Sequence, residues 1–207
     1  MQKLLTLALI VSTFPLLAEE ALPASLLDLA GPEWQGRWAA SPTGADFQAI
    51  VSAFLALEGE EATTAWLAGM KANATAYQGN RSVMAAVNAG EIPAGVIYHY
   101  YWFGDQANTG ENSGNVALHY FKGEDPGAFV SLSGGGVLAS SQHQDAAQAF
   151  LAFITGVDGQ TILQTGTSFE YPIAAGIDES GTGITTSASA GASCARRRPS
   201  RWRTWCT

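Results

Sequence analysis

The apolar positions of this chain change their spacing several times, and the changes mark its elements. An apolar run covers residues 4–17, directly after Lys3. A second apolar stretch, residues 22–30, closes on the turn pair Gly31-Pro32. Residues 34–40 read as a strand, and Ser41-Pro42-Thr43-Gly44 has turn chemistry. Phe47, Ile50, Val51, Phe54 and Leu55 then recur at steps of three and four, which predicts a helix. Ala62, Trp66 and Met70 form the stripe of a second helix over residues 61–74. Asn80 is placed to cap a third, with Val83, Met84 and Val87 as its face and Gly90 as its stop. Residues 93–101 predict a buried strand and 104–114 a polar loop. Strands are expected at 116–121 and 128–133, with turn residues 123–127 between them. Gly134-Gly135-Gly136 breaks the second strand. A helix over 144–155 presents Ala147, Phe150, Leu151 and Ile154, and a shorter one ends near Gly166. Helices alternating with strands give an α/β fold.

The two ends differ from this body. Lys3, the apolar run and Ala18 have the make-up of a secretory signal over residues 1–18. The run is shorter than the roughly 20 apolar residues of a membrane-spanning helix. The same residues also fit an apolar strand or helix of the body. Residues 178–193 are mostly Gly, Ser, Thr and Ala without periodicity, and disorder is expected there. Residues 194–207 mix Arg, Trp and Cys densely. So abrupt a shift predicts a non-native tail, from a lost reading frame or a truncated gene. The formal net charge of −8 hides the same split, because Arg196, Arg197, Arg198, Arg201 and Arg203 supply half of the 10 basic residues. The acidic body disfavours nucleic acid and suits cations. Both cysteines, Cys194 and Cys206, lie in the tail, which excludes a cysteine-based zinc site from the body.

Candidate chemistry gathers in the aromatic run of residues 98–103, above all in the adjacent pair Tyr100-Tyr101. Phenolate is a strong ligand for a hard trivalent cation such as ferric iron. The phenol proton, with an ordinary pKa of about 10, is displaced on binding. Geometry sets a condition. Neighbours on a regular strand point to opposite faces, so both phenols reach one ion only where the strand ends or kinks. The residues alone leave two readings open, a ligand pair or an aromatic strand end packed on a helix. His99, His119 and His143 have no zinc-site spacing. The triple glycine lacks the Lys-Ser/Thr of a phosphate loop. No nucleophile elbow is present, so an enzyme is not expected. Glu58, Glu60 and Glu61 read as a solvated helix junction.

Several segments carry a resemblance. GNRSVMAAVNAGEIPAGVIYHYYWF, then LHYFKGEDPGAFVSLSGGGVLASSQHQDAAQAFLAFITGVDGQ, then EYPIAAGI resemble the periplasmic ferric-iron-binding proteins of bacterial ABC transporters. PASLLDLAGPEWQGRWAASPTGADFQ and TTAWLAGMKAN resemble them too, in the same order. The resemblance covers roughly residues 22–177. It implies a two-lobed, transferrin-like clamp of the periplasmic-binding-protein type, with the ligand in the cleft. It implies that Tyr100 and Tyr101 ligate Fe(3+). A synergistic anion such as phosphate or carbonate would meet Thr43, Gly44, Ala45 and Asn80, where helix N-termini attract anions. It further implies a periplasmic monomer that delivers ferric ion to an inner-membrane ABC permease and binds no nucleic acid.

Three departures from the family pattern stand out. Tyr98 replaces an asparagine of many relatives, which removes an anion contact or offers a third phenol. Asp46, beside the anion loop, would repel an anion unless it points away. The N-terminal lobe is largely missing, and with it a histidine and an acidic ligand. On this reading residues 22–122 form the second lobe, and residues 126–177 return to an incomplete first lobe. Strand 128–133 would then lack sheet partners, and apolar faces there would be exposed. The alternatives are the same fold holding another small anionic or organic solute, or a non-functional fragment.

Overall fold

A computed structural model describes residues 3–12 and 22–177. Contacts divide them into a larger unit, residues 6–129, and a smaller one of residues 130–177 with the start of the first strand. Strand β1 is Lys3–Ser12 and takes in much of the apolar run. Its side chains alternate between two cores. Leu7, Leu9 and Val11 join Trp38, Phe54 and Trp66, whereas Ile10 joins Val83, Met84 and Val87. A strand buried on both faces is apolar at every position, and composition alone cannot separate it from a secretory signal. Residues 13–18 and the tail 178–207 lie outside the described residues.

The remaining strands of the larger unit are β2 (Trp38–Ala40), β3 (Ala74–Ala76), β4 (Ala94–Tyr98) and β5 (Val116–His119). The sheet order is β3-β2-β4-β1-β5. β2 runs parallel to β3 and β4, while β1 is antiparallel to β4 and β5. Helix α1 (Ala45–Asn73) breaks at Gly59, where φ is 83° and ψ 175°, a conformation that favours glycine. The break gives the two helices expected from the periodicity. Phe54 and Trp66 stack across it with centroids 5.0 Å apart, and Phe47 joins the stack at 6.2 Å from Trp66. The Trp66 indole N–H donates to the Leu26 carbonyl at 3.0 Å, so the buried ring leaves no polar atom unpaired. Glu58, Glu60 and Glu61 are exposed at the break, as the sequence suggested.

Helix α2 (Asn80–Asn88) begins at Asn80 itself, and Gly79 is its N-cap. The capping role expected of Asn80 is therefore replaced by another contact, described below. Helix α3 (His99–Asn108) replaces the end of the expected strand and the start of the expected loop. Leu7 of β1 pairs opposite Tyr98, and β2 reaches Gly95. From His99 the backbone pairs with itself as a helix. Trp102 ties α3 to the sheet by donating its indole N–H to the Val116 carbonyl at 2.9 Å.

In the smaller unit β6 (Val130–Ser133) pairs with β1, which corrects the expectation of a strand without a partner. Helices α4 (Gln144–Thr155) and α5 (Val157–Thr165) follow as the periodicity predicts. Gln160 is buried, donating to the Ile154 carbonyl and accepting from the Ile173 N–H, each at 2.9 Å. α4 buries none of its residues, and Phe150, Phe153 and Ile162 are exposed, Phe150 by 62 %. The apolar faces expected to be open are open. Among the described residues no helix is long and apolar enough to cross a membrane.

Leu9 is fully buried at the centre of β1. Leu9→Ala should cost about 2–5 kcal/mol in denaturant unfolding. Glu58→Ala, at the exposed junction, should change stability by less than about 0.5 kcal/mol.

Candidate metal centre

The first turns of α1, α2 and α3 bring their side chains to one carboxylate. The Tyr100 and Tyr101 hydroxyls both donate to Asp46 Oδ2, at 3.2 and 3.1 Å. The Asn80 side-chain amide donates to the same oxygen at 2.8 Å. The Tyr98 hydroxyl reaches the Asp46 main-chain carbonyl at 3.3 Å. The rings of Tyr100 and Tyr101 lie 4.3 Å apart at 32°. Both belong to a helix, where neighbours diverge by about 100° and not by the 180° of a strand. The condition set by strand geometry is thus met by a change of element. Asp46 is held in place by its neighbour Phe47, which is buried in the Trp66 stack.

Thr43, Gly44, Ala45, Asp46, Asn80 and Tyr101 line one open cleft of about 310 Å³. All six expected site residues but Tyr100 therefore border the same space, and Tyr100 meets it through Asp46. The N-caps of α1 and α2 are Gly44 and Gly79, and neither helix has a side-chain cap. Thr43 is not a cap, so two helix N-termini open on the cleft with backbone donors free of side-chain partners. Asp46 does not point away from the site, as an anion-binding loop would require. It takes the position of a built-in anion at the start of α1, where the helix dipole favours negative charge.

Tyr100 is protonated in this arrangement. Burial, the hydrogen bond with Tyr101 and the Asp46 charge all hold the Tyr100 pKa well above its ordinary value. His99 is buried edge-on to Tyr100 and Phe103, and a His119 ring nitrogen lies 3.0 Å from the Pro23 carbonyl. Among the described residues no group of three or more His, Cys, Asp or Glu side chains is placed to hold a metal. The oxygen donors that converge are two phenols and one carboxylate. Sequence reasoning had the phenols and missed the carboxylate. The signal for it was present, an acidic residue in the first turn directly after Gly44-Ala45.

The family model for bacterial extracellular solute-binding proteins matches residues 10–191. This chain belongs to that family. Its members are binding proteins and not enzymes. The solute-binding protein is 67% identical over 160 residues to the Fe(3+)-binding periplasmic protein of Serratia marcescens, covering 77% of this chain and 47% of the relative. It is 38% identical over 157 residues to the major ferric iron-binding protein of Neisseria meningitidis serogroup B, covering 76% and 47%. It therefore spans about half the length of the curated relatives it matches. The crystal structure of iron-bound HitA from Pseudomonas aeruginosa matches with a TM-score of 0.75 at 35% identity, over 94% of this chain and 67% of that one. The α/β fold of the clamp-type ferric-binding proteins is thus the fold of this chain, which accounts for part of it.

Tyr100 and Tyr120 are both held high, Tyr120 by burial alone. Removing a negative charge eases phenolate formation. Asp46→Asn should therefore lower the ionisation midpoint of Tyr100 and leave that of Tyr120, as read by ultraviolet difference absorbance in single Tyr100→Phe and Tyr120→Phe backgrounds.

Proposed function

We propose that this chain is the phenolate-bearing part of a periplasmic ferric-ion-binding protein, a monomer that hands its ion to an inner-membrane ABC permease. The observation that carries the reading is the meeting of two phenol oxygens within 3.2 Å of one carboxylate oxygen, Asp46 Oδ2. Tyr100, Tyr101 and Asp46 supply hard oxygen donors. With both phenols ionised their charges sum to −3, which offsets a trivalent cation and overcompensates a divalent one. The Serratia and Neisseria relatives, both ferric-iron-binding proteins, agree with this choice of ion.

Asp46 then does on this side of the ion what a free anion would do. A second reading keeps the synergistic anion, phosphate or carbonate, on Thr43, Gly44, Ala45 and Asn80. The two uncapped helix N-termini favour it. Loading with ferric ion in buffers with and without phosphate and carbonate separates the two. Anion-independent loading supports the carboxylate, and a strict anion requirement supports the second reading.

Adding ferric salt, presented as a weak chelate, should raise a visible phenolate-to-iron charge-transfer band. The double variant Tyr100→Phe, Tyr101→Phe should lose the band, and its persistence would refute the assignment. Asp46→Asn should weaken binding at least about tenfold. Each phenol that binds must release its proton, because Tyr100 remains protonated through the neutral range. Affinity should accordingly fall as pH falls, by about tenfold per pH unit for each proton displaced. A chelator-competition titration at several pH values gives that slope.

A further inference from the structure

Tyr98 is buried beside the site, at 1 % exposure, yet it belongs to neither the pair nor the cleft lining. Its backbone is the last residue of β4, held opposite Leu7 of β1, and it is also the N-cap of α3. Its ring stacks on Tyr100 with centroids 6.2 Å apart at 23°, and meets the edge of Phe129 at 6.5 Å. Its hydroxyl donates to the main-chain carbonyl of Asp46 at 3.3 Å. One side chain therefore touches both halves of the oxygen cluster, the α3 turn with the phenols and the α1 turn with the carboxylate.

We infer that Tyr98 is a positioning residue, which sets the separation between the Asp46 carboxylate and the Tyr100-Tyr101 phenols so that the three oxygens converge before a cation arrives. The inference rests on the ferric reading for its purpose, but not for its geometry. Two other roles fit less well. A third phenolate ligand would have to leave the Asp46 carbonyl and the buried position of its ring. A pure core residue would need no polar tip, and the Phe129 contact already serves packing. The hydroxyl bond is long for an O–H donor, so its own share is modest, and the ring stack on Tyr100 carries the remainder.

The test compares the wild-type chain with Tyr98→Phe, which removes only the hydroxyl, and Tyr98→Leu, which also removes the stack. Three readouts are taken: the apo thermal midpoint, the side-chain amide resonance of Asn80 in the apo protein, and ferric titration against a competing chelator. The Asn80 amide reports Asp46 without any metal, because it donates to the same carboxylate oxygen. In Tyr98→Phe the apo midpoint should stay near wild type, the Asn80 amide should shift, and ferric affinity should drop roughly three- to tenfold with a displaced charge-transfer maximum. Tyr98→Leu should extend each change in the same direction. Unchanged Asn80 resonances together with unchanged affinity and band position in Tyr98→Phe would overturn the inference, whatever happens to the melting point. If the wild-type chain gives no band at all, the ferric reading fails, and the Asn80 resonance alone decides whether Tyr98 positions Asp46.

Discussion

A strand sends successive side chains to opposite faces, while a helix turns them by about 100° per residue. The chain passes from the first regime to the second between Tyr98 and His99. It comes directly after β4, whose five residues are all buried and whose last, Tyr98, pairs opposite Leu7. Everything in the candidate centre follows from it. Tyr98 stays with the sheet, and Tyr100 and Tyr101 swing to one side together. The first turn of α1 is anchored through Phe47 and Trp66 close enough for Asp46 to meet them.

Charge explains why such a cluster is stable without a cation. Two adjacent phenols cost nothing while protonated, and each has a carboxylate oxygen to donate to. Asp46 in turn receives three donors and sits at a helix N-terminus, so a half-buried carboxylate is well satisfied. On the proposed reading a trivalent ion would exchange these protons for itself and leave the heavy atoms nearly in place. Preorganisation of that kind spares the cost of assembling like-charged ligands at the moment of binding. The rest of the coordination shell must be supplied from outside these three residues.

Much of this was legible in the sequence, for reasons that differ by element. The stripe of Phe47, Ile50 and Phe54, and that of Trp66 and Met70, have the helical period, and α1 carries both on either side of Gly59. α4 and α5 were equally plain. Three readings went astray where tertiary context overrides local pattern. Aromatic residues 98–103 favour a strand by composition, yet His99 onward form a helix. Asn80 has capping chemistry, but Asp46 claims its amide. Ala74–Ala76 pairs as β3 with nothing but small residues to announce it. Within the site, the phenols and the cleft residues were readable. The acceptor that joins them was visible as a first-turn acid, Asp46, but a sequence does not tell which way its carboxylate faces.

The position of β1 has a consequence in time. Leu7 pairs with Tyr98, and Leu9 with His119, so the central strand waits for partners about 90 to 110 residues further along the chain. At ribosomal speeds of roughly 5–20 residues per second that wait is on the order of 5–20 s. Contacts of such high sequence separation also form late in folding. Throughout that interval Leu7, Leu9, Ile10 and Val11 have no sheet to enter. For those seconds a future core strand presents to its surroundings the same unpaired apolar run as a secretory signal.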